Sequence, residues 1–342
     1  MGRRGGRAGA RAAGVSKVAV LGAGSWGTTV AAQLSQRTST VLWARSAAVA
    51  TEVEERSTNR AYLGDHRLPD GLHATASIEA ALDGATLTVL AVPSTGLRAI
   101  LDTAPLDLPP EVPVLSLVKG METSTGCRPS QLVAERWPSR PVAVLTGPNL
   151  AGEILAGQPA ASVVASPDAA LARELQGLLG TPTWRIYTNG DLVGCEVAGV
   201  VKNVMAIAVG MAAGLGLGDN ARAALVTRAL AELSRLGEGL GGDRATFAGL
   251  AGVGDLVATC TSPRSRNFAL GMALGKGEPI EDVLGRARTV AEGLWSCRPV
   301  VELAHGLGLE APVAEQVVAV CHEGLAPKEA IPRLMSRAPR SE

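Results

Sequence analysis

The chain has 342 residues, 46% of them hydrophobic, with 32 lysines and arginines balanced by 32 aspartates and glutamates and a pI near 6.9. That length allows two domains and a large core, while the neutral balance offers no basic field to nucleic acid. Aromatic residues at 3% leave few stacking platforms for single strands.

From the N-terminus, Arg3, Arg4, Arg7, Arg11 and Lys17 stand among glycines and alanines with no acid. No apolar h-region follows them, so residues 1–16 read as a disordered basic extension and not as a signal peptide. Lys17–Leu21 then reads as a buried strand, followed by a glycine turn and a helix from Ser25 to about Gln36. Further strands are expected at Thr40–Ala44, Ala85–Val92, Val112–Val118, Pro141–Leu145 and Ala160–Ala165. Apolar strands separated by helices imply right-handed crossovers and a largely parallel sheet covered on both faces.

After about Gly190 the strand signal ends. Helices are expected at Gly194–Gly214, Asp219–Gly237, Gly252–Thr261, Ser265–Leu274, Pro279–Leu284, Gly293–His305 and Pro312–His322, with Asp219 as an N-cap. No apolar run reaches the roughly 18–20 residues of a membrane span. The most apolar stretch, Val197 to Ala213, is interrupted by Lys202, Asn203 and Gly210 and reads as a buried helix. The expected organisation is α/β: a Rossmann-like doubly wound sheet domain over 17–191, then an all-α substrate domain over 192–335.

The five cysteines (Cys127, Cys195, Cys260, Cys297 and Cys321) are isolated, and the four histidines form no HExxH. Neither a disulfide framework nor a metal centre is expected, and reduced thiols fit a cytoplasmic protein.

Strand Val18–Leu21 runs straight into Gly22-Ala23-Gly24-Ser25-Trp26-Gly27, a GxGxxG turn that opens a helix. In a dinucleotide site the first glycine makes the turn, the second admits the pyrophosphate and the third lets helix pack on strand. Free N–H groups at the helix start would face the phosphates. The second strand ends in Arg45 where NAD-selective sites carry an acid, so NADPH should be accepted, with NADH also possible.

Lys119 follows the strand that ends near Val118, at the sheet edge where such folds bind ligands. Thr146-Gly147-Pro148-Asn149 repeats a strand-to-turn pattern before Ala151 and Glu153. Lys202 interrupts an apolar helix, with Ala198 and Ala206 one turn away on either side and Asn203 beside it. Burial would lower the pKa of such a lysine towards the range useful for proton transfer. Asp255 and Thr259 lie four apart on one helix face, and Ser265-Arg266-Asn267 opens another helix as a phosphate-binding element.

Taken together, these motifs resemble bacterial NAD(P)-dependent glycerol-3-phosphate dehydrogenase over nearly the whole chain after residue 16. The resemblance extends through Gly216-Leu217-Gly218-Asp219-Asn220-Ala221-Arg222 and Val290-Ala291-Glu292-Gly293. It implies reversible reduction of dihydroxyacetone phosphate to sn-glycerol 3-phosphate, which supplies the backbone of glycerophospholipids, in a homodimer without metal.

In the catalytic group Lys202 would be the proton donor, with Asn203 and Asp255 orienting it and the substrate hydroxyls, Thr259 nearby, and Lys119 contacting both substrate and cofactor. Substrate would meet Lys119, Gly147, Asn149, Lys202, Asp255, Ser265, Arg266 and Asn267. The cofactor would be lined by Gly22, Gly24, Ser25, Trp26, Gly27, Arg45, Lys119, Ala151, Arg266, Val290 and Glu292. The commoner family form has serine where this chain has Asn149, and Ala291 is an extra residue between Val290 and Glu292. A β-hydroxyacid or 6-phosphogluconate type of dehydrogenase shares the Lys-Asn pair, and a non-catalytic NADPH sensor would share the nucleotide turn.

Overall fold

The computed structural model describes residues 14–104, 108–286 and 290–335. Arg3, Arg4, Arg7 and Arg11 of the basic extension lie outside the described residues.

Eight strands form one sheet: β1 (Lys17–Leu21), β2 (Ser39–Trp43), β3 (Leu72–Thr75), β4 (Leu87–Leu90), β5 (Val114–Ser116), β6 (Val142–Thr146), β7 (Ala160–Ala165) and β8 (Trp184–Asn189). Their order is β3-β2-β1-β4-β5-β6-β7-β8. β1 runs parallel to both neighbours, pairing Val18 with Thr40 on one side and with Leu87 on the other. The chain therefore winds outward from β1 to β3 and returns at β4, which makes the C-terminal end of β1 the switch point where such sheets bind ligands. Val18 to Leu21 are fully buried, as the continuous apolar run requires of a strand covered on both faces. The one reversal is between β6 and β7, which pair antiparallel, and β8 then follows β7 in parallel.

Beyond β8 the described chain is helical. The helix Leu192–Gly214 forms the axis, and the helices Asp219–Gly239, Asp255–Thr261, Arg266–Gly275, Glu292–Gly306 and Pro312–His322 all pack on it. It is long and apolar enough to cross a membrane by length and composition, with a mean hydropathy of 1.8. Yet 89% of that apolar window is buried inside the fold, as expected of a core helix.

The tightest of these contacts is made of backbone. A Cβ on Gly210 would lie 2.2 Å from the carbonyl oxygen of Phe268, and one on Gly271 would lie 2.0 Å from that of Ile207. Only glycine allows the axis and the Arg266–Gly275 helix to approach so closely. This crossing sets where Lys202 and Asn203 stand relative to Asn267.

Several local expectations change. Asp219 is the first residue of its helix, with Gly218 as N-cap, and it pairs with Arg222. The helix expected from Gly252 begins as a π-turn, Leu250–Gly254, before Asp255–Thr261. Strands β3 and β8 and the helix Pro327–Met335 were not anticipated from the sequence.

Candidate active site

The glycine turn after β1 has the shape its sequence requires. Gly22 has φ +122°, and a Cβ there would lie 2.6 Å from the carbonyl oxygen of Ala91. At Gly27 a Cβ would lie 2.0 Å from the carbonyl oxygen of Gly22, so the helix Ser25–Leu34 must pack bare against the turn. At Gly24 no atom lies within 4 Å of the Cβ position, leaving open the approach a pyrophosphate uses. The helix has no acid in its first turn and no side-chain cap, so its leading N–H groups stay available to an anion. Asn59, fully buried, braces the turn by donating to the Ala23 carbonyl and the Thr28 hydroxyl, both at 2.9 Å.

Around this cradle, Arg45 is exposed just after β2, and Ser25 donates to the Tyr62 carbonyl at 3.0 Å. Ala151 sits beside the same helix, its carbonyl accepting from Thr29 at 3.4 Å. Trp26 packs edge-on against Trp184, with ring centroids 5.8 Å apart. Its buried indole nitrogen has no hydrogen-bond partner among the described residues. The residues therefore fit a bound dinucleotide.

Glu292, just after Val290 and Ala291, reaches back to the sheet. Its carboxylate accepts from the Ser94 N–H at 3.0 Å and from the Ser94 hydroxyl, capping the helix Ser94–Thr103. Gly120 faces this pair, and a Cβ there would lie 2.2 Å from the Glu292 carboxylate.

The chemical centre lies between the sheet and the axial helix. Lys202 Nζ donates to Asp255 Oδ1 at 2.9 Å and to Thr259 Oγ1 at 2.7 Å. Lys119 Nζ donates to the other oxygen, Oδ2, at 2.7 Å and to the Gly147 carbonyl at 2.9 Å. One carboxylate is thus shared by two ammonium groups, with side chains only 7%, 2% and 14% exposed for Lys202, Asp255 and Lys119. Burial pushes Lys119 down to about 8, with Asp255 opposing and Lys202 adding to the shift. For Asp255 burial works upward, but the two lysines outweigh it and hold the carboxyl below its usual range. With both lysines protonated the trio carries one net positive charge in a nearly dry site, suited to an anion or a developing alkoxide.

Asn203 and Asn267 build the frame behind this trio. Asn203 Nδ2 donates to the Lys119 carbonyl at 2.8 Å, and its Oδ1 accepts from Asn267 Nδ2 at 2.9 Å. Asn267 Oδ1 accepts in turn from the Gly293 N–H at 2.9 Å. Both amides are engaged in holding the 119, 203, 267 and 293 segments together. Ser265 caps the Arg266–Gly275 helix by accepting from the Phe268 N–H, while the Arg266 side chain is exposed at its start.

The structure brings Lys119, Lys202, Asp255, Thr259, Asn203 and Asn267 into one hydrogen-bonded group, and places Gly147 against it. Asn149 is half-buried in the same loop, held by Ser162. Sequence reasoning missed Asn59, Ser94, Ser162, Trp184 and the carboxylate of Glu196. Glu196, buried on the axial helix, accepts from the Ser130 N–H at 2.8 Å and from Arg128 at 2.5 Å. An acid within an apolar helical run was the one visible signal among them. Cys260 lies beside Lys202, but burial lifts its thiol to about 12, so it is no nucleophile. Among the described residues no group of three His, Cys, Asp or Glu side chains could hold a metal ion.

A dinucleotide cradle at a switch point, facing a buried lysine held by a carboxylate, defines a nicotinamide-dependent oxidoreductase built from a sheet and a helical bundle. The family model for the NAD-dependent glycerol-3-phosphate dehydrogenase N-terminus matches residues 17–172, and that for the C-terminus matches residues 191–332. The chain belongs to the NAD-dependent glycerol-3-phosphate dehydrogenase family. It is 52% identical over 331 residues to the glycerol-3-phosphate dehydrogenase [NAD(P)+] of Parafrankia sp., covering 95% of this chain and 98% of that one. It is 48% identical to the Streptomyces coelicolor enzyme of the same name, covering 95% and 98%. Among solved structures, glycerol-3-phosphate dehydrogenase of Coxiella burnetii superposes with a TM-score of 0.89 at 35% identity, covering 94% of this chain and 99% of that one. The cofactor of the family is NADH or NADPH.

Proposed function

We propose that this chain reduces dihydroxyacetone phosphate to sn-glycerol 3-phosphate with NADPH or NADH, reversibly, and so supplies the backbone of glycerophospholipids. The observation that carries this reading is Lys202, a buried ammonium aimed by Asp255 and Thr259 and set beside a second lysine. A nucleotide sensor has no use for that arrangement.

The bound nicotinamide supplies the hydride for C2 of the ketone. As charge grows on the carbonyl oxygen, Lys202 stabilises it and transfers a proton from Nζ. Asp255 and Thr259 keep Nζ in one place, so little reorganisation is needed at the moment of transfer. Lys119 contributes positive charge to the substrate. The exposed Arg266 and the free N–H groups that open its helix, next to Ser265, offer the phosphate a charged and oriented seat. The side-chain amides of Asn203 and Asn267 act behind the site, and Asn267 reaches the phosphate through its backbone N–H.

We assign the sheet part, 17–191, to the cofactor and the helical part, 192–335, to the substrate. A cytoplasmic homodimer completes the reading. The free state of all five cysteines supports the compartment, and light scattering of the purified protein tests the dimer.

The deciding experiment follows NADPH and NADH oxidation separately, with dihydroxyacetone phosphate and with unphosphorylated dihydroxyacetone. Turnover that requires the phosphate supports the reading. No turnover with either cofactor, in folded protein that binds nucleotide, overturns it.

A further inference from the structure

The loop that follows β6 lies between the lysine pair and the cofactor helix. Its Gly147 carbonyl accepts from Lys119 Nζ, and the carbonyl of Ala151, which opens the helix it leads into, accepts from Thr29. Asn149 stands midway, and its side chain belongs to a directional chain of hydrogen bonds. The Trp184 indole N–H donates to Ser162 Oγ at 2.7 Å, and the Ser162 hydroxyl donates to Asn149 Oδ1. Ser162 on β7 is fully buried and Trp184 on β8 is 1% exposed.

The polarity of this chain follows from chemistry. An indole nitrogen can only donate, so Ser162 receives at its oxygen and must pass its own proton onward. Asn149 Oδ1 is the acceptor placed to take it. The amide is thereby fixed with its oxygen turned to Ser162 and its NH2 group as the remaining end. That Nδ2 is buried and has no hydrogen-bond partner among the described residues. Leaving a buried donor unmade is costly, which marks the group as one completed by something the protein alone does not supply. The chain also starts at the nucleotide site, because the Trp184 ring packs edge-on against Trp26 on the cofactor helix.

We propose that Ser162 and Trp184 are positioning residues that fix the amide of Asn149 so that its Nδ2 donates to an oxygen of bound substrate or cofactor. This rests on the dehydrogenase reading above and extends it to two buried residues outside the glycine turns. Both sources present the same chemistry, an oxygen acceptor of a phosphate, hydroxyl or carboxamide, and the experiment separates them.

Ser162→Ala removes the hydroxyl from a buried strand position with little change of volume. Its KM for dihydroxyacetone phosphate, kcat and the NADPH dissociation constant are measured beside those of Asn149→Ala and the double variant. Losing one hydrogen bond to the ligand predicts about a tenfold rise in one of the two binding parameters for Ser162→Ala, with kcat changed much less. A rise in KM assigns the acceptor to the substrate, and a rise in the NADPH constant assigns it to the cofactor. Because Ser162 acts through Asn149, the double variant matches Asn149→Ala alone; a merely structural role would make the two losses multiply.

Unchanged KM and unchanged NADPH affinity in folded Ser162→Ala overturn the proposal, as do multiplying losses. If the parent chain binds NADPH but does not turn over dihydroxyacetone phosphate, the functional reading fails. The NADPH titrations then decide the positioning role alone, and an unchanged constant overturns it.

Discussion

Lys202 and Asp255 lie 53 positions apart in the chain and 2.9 Å apart in space, and the carboxylate oxygen that Lys202 leaves free is taken by Lys119. That carboxylate gives both buried lysines an opposite charge at hydrogen-bond distance, which offsets part of the cost of taking them out of water. The shared acid therefore sets both the aim of the proton donor and the electrostatics of the pocket.

Removing the donor tests the first of these roles. Lys202→Ala lowers kcat by about a thousandfold, within the range for loss of a general acid, while NADPH binding is retained. Steady-state kinetics and a fluorescence titration of NADPH check this. Near-wild-type turnover would sink the assignment.

Lys119 gives a pH dependence with opposite signs for activity and stability. Its folded value near 8 lies below the ordinary lysine value of 10.5 because of burial. As pH rises through about 8 the free enzyme loses this positive charge, so kcat/KM for an anionic substrate falls. Between about 8 and 10.5 the unfolded chain binds the proton that the folded chain has released, so this group makes folding more favourable as pH increases. Below 8 the cost of burying the ammonium is present in full. Lys119→Arg, which stays charged, carries the activity plateau to higher pH. A profile without an inflection near 8 in the parent chain would refute the assignment.

The Glu196 carboxylate fastens the axial helix to Arg128 and Ser130. Burial raises its pKa against the pull of Arg128, but truncating it strands a largely buried guanidinium. Glu196→Ala costs about 3–5 kcal/mol of stability, as breaking one side of a buried pair does. Denaturant unfolding measures it, and Glu196→Gln, which keeps an acceptor for Ser130, recovers part of the loss.

Arg45 should govern cofactor choice through the 2′-phosphate. Arg45→Asp lowers kcat/KM for NADPH by about ten- to a hundredfold, the value of a charge-assisted hydrogen bond, and leaves NADH equal or better. Parallel assays with the two cofactors decide it, and an unchanged ratio removes Arg45 from the site.

The glycine crossing predicts a stability effect at a residue that touches no ligand. Gly271→Ala drives a methyl group into the Ile207 carbonyl and costs about 3 kcal/mol, the upper range for overpacking. Activity falls with it, because the Asn203–Asn267 contact shifts.

Much of the sheet was legible because β1 and β6 are apolar runs that lead into glycine turns, and β4 lies in the stretch Ala85–Val92, broken only by Thr86 and Thr88. β3 and β8 were missed for a shared reason: both are edge strands without such a run. β8 alternates buried and exposed residues, as a half-covered edge strand does. The lysines, Asp255 and the glycine turn could be found because their residue types are out of place in their surroundings. Ser94, Ser162 and Trp184 could not, since a serine in a strand or at a helix start is ordinary until its partner from another element is known. The roles of Asn203 and Asn267 were visible only in outline; their amides face one another, and this cross-link is a product of the helix crossing.

The contacts of Glu292 and Gly293 also bear on when the site can exist. Glu292 closes on Ser94, 198 positions earlier, and Gly293 closes on Asn267. A polypeptide emerging from the ribosome can wind the nucleotide cradle early, yet the frame around the lysines stays unfinished until these late residues arrive. The lysines, Asp255 and Thr259 can bond to one another without these late residues, but the Asn203–Asn267 brace beside Lys119 is closed only once Gly293 is in place.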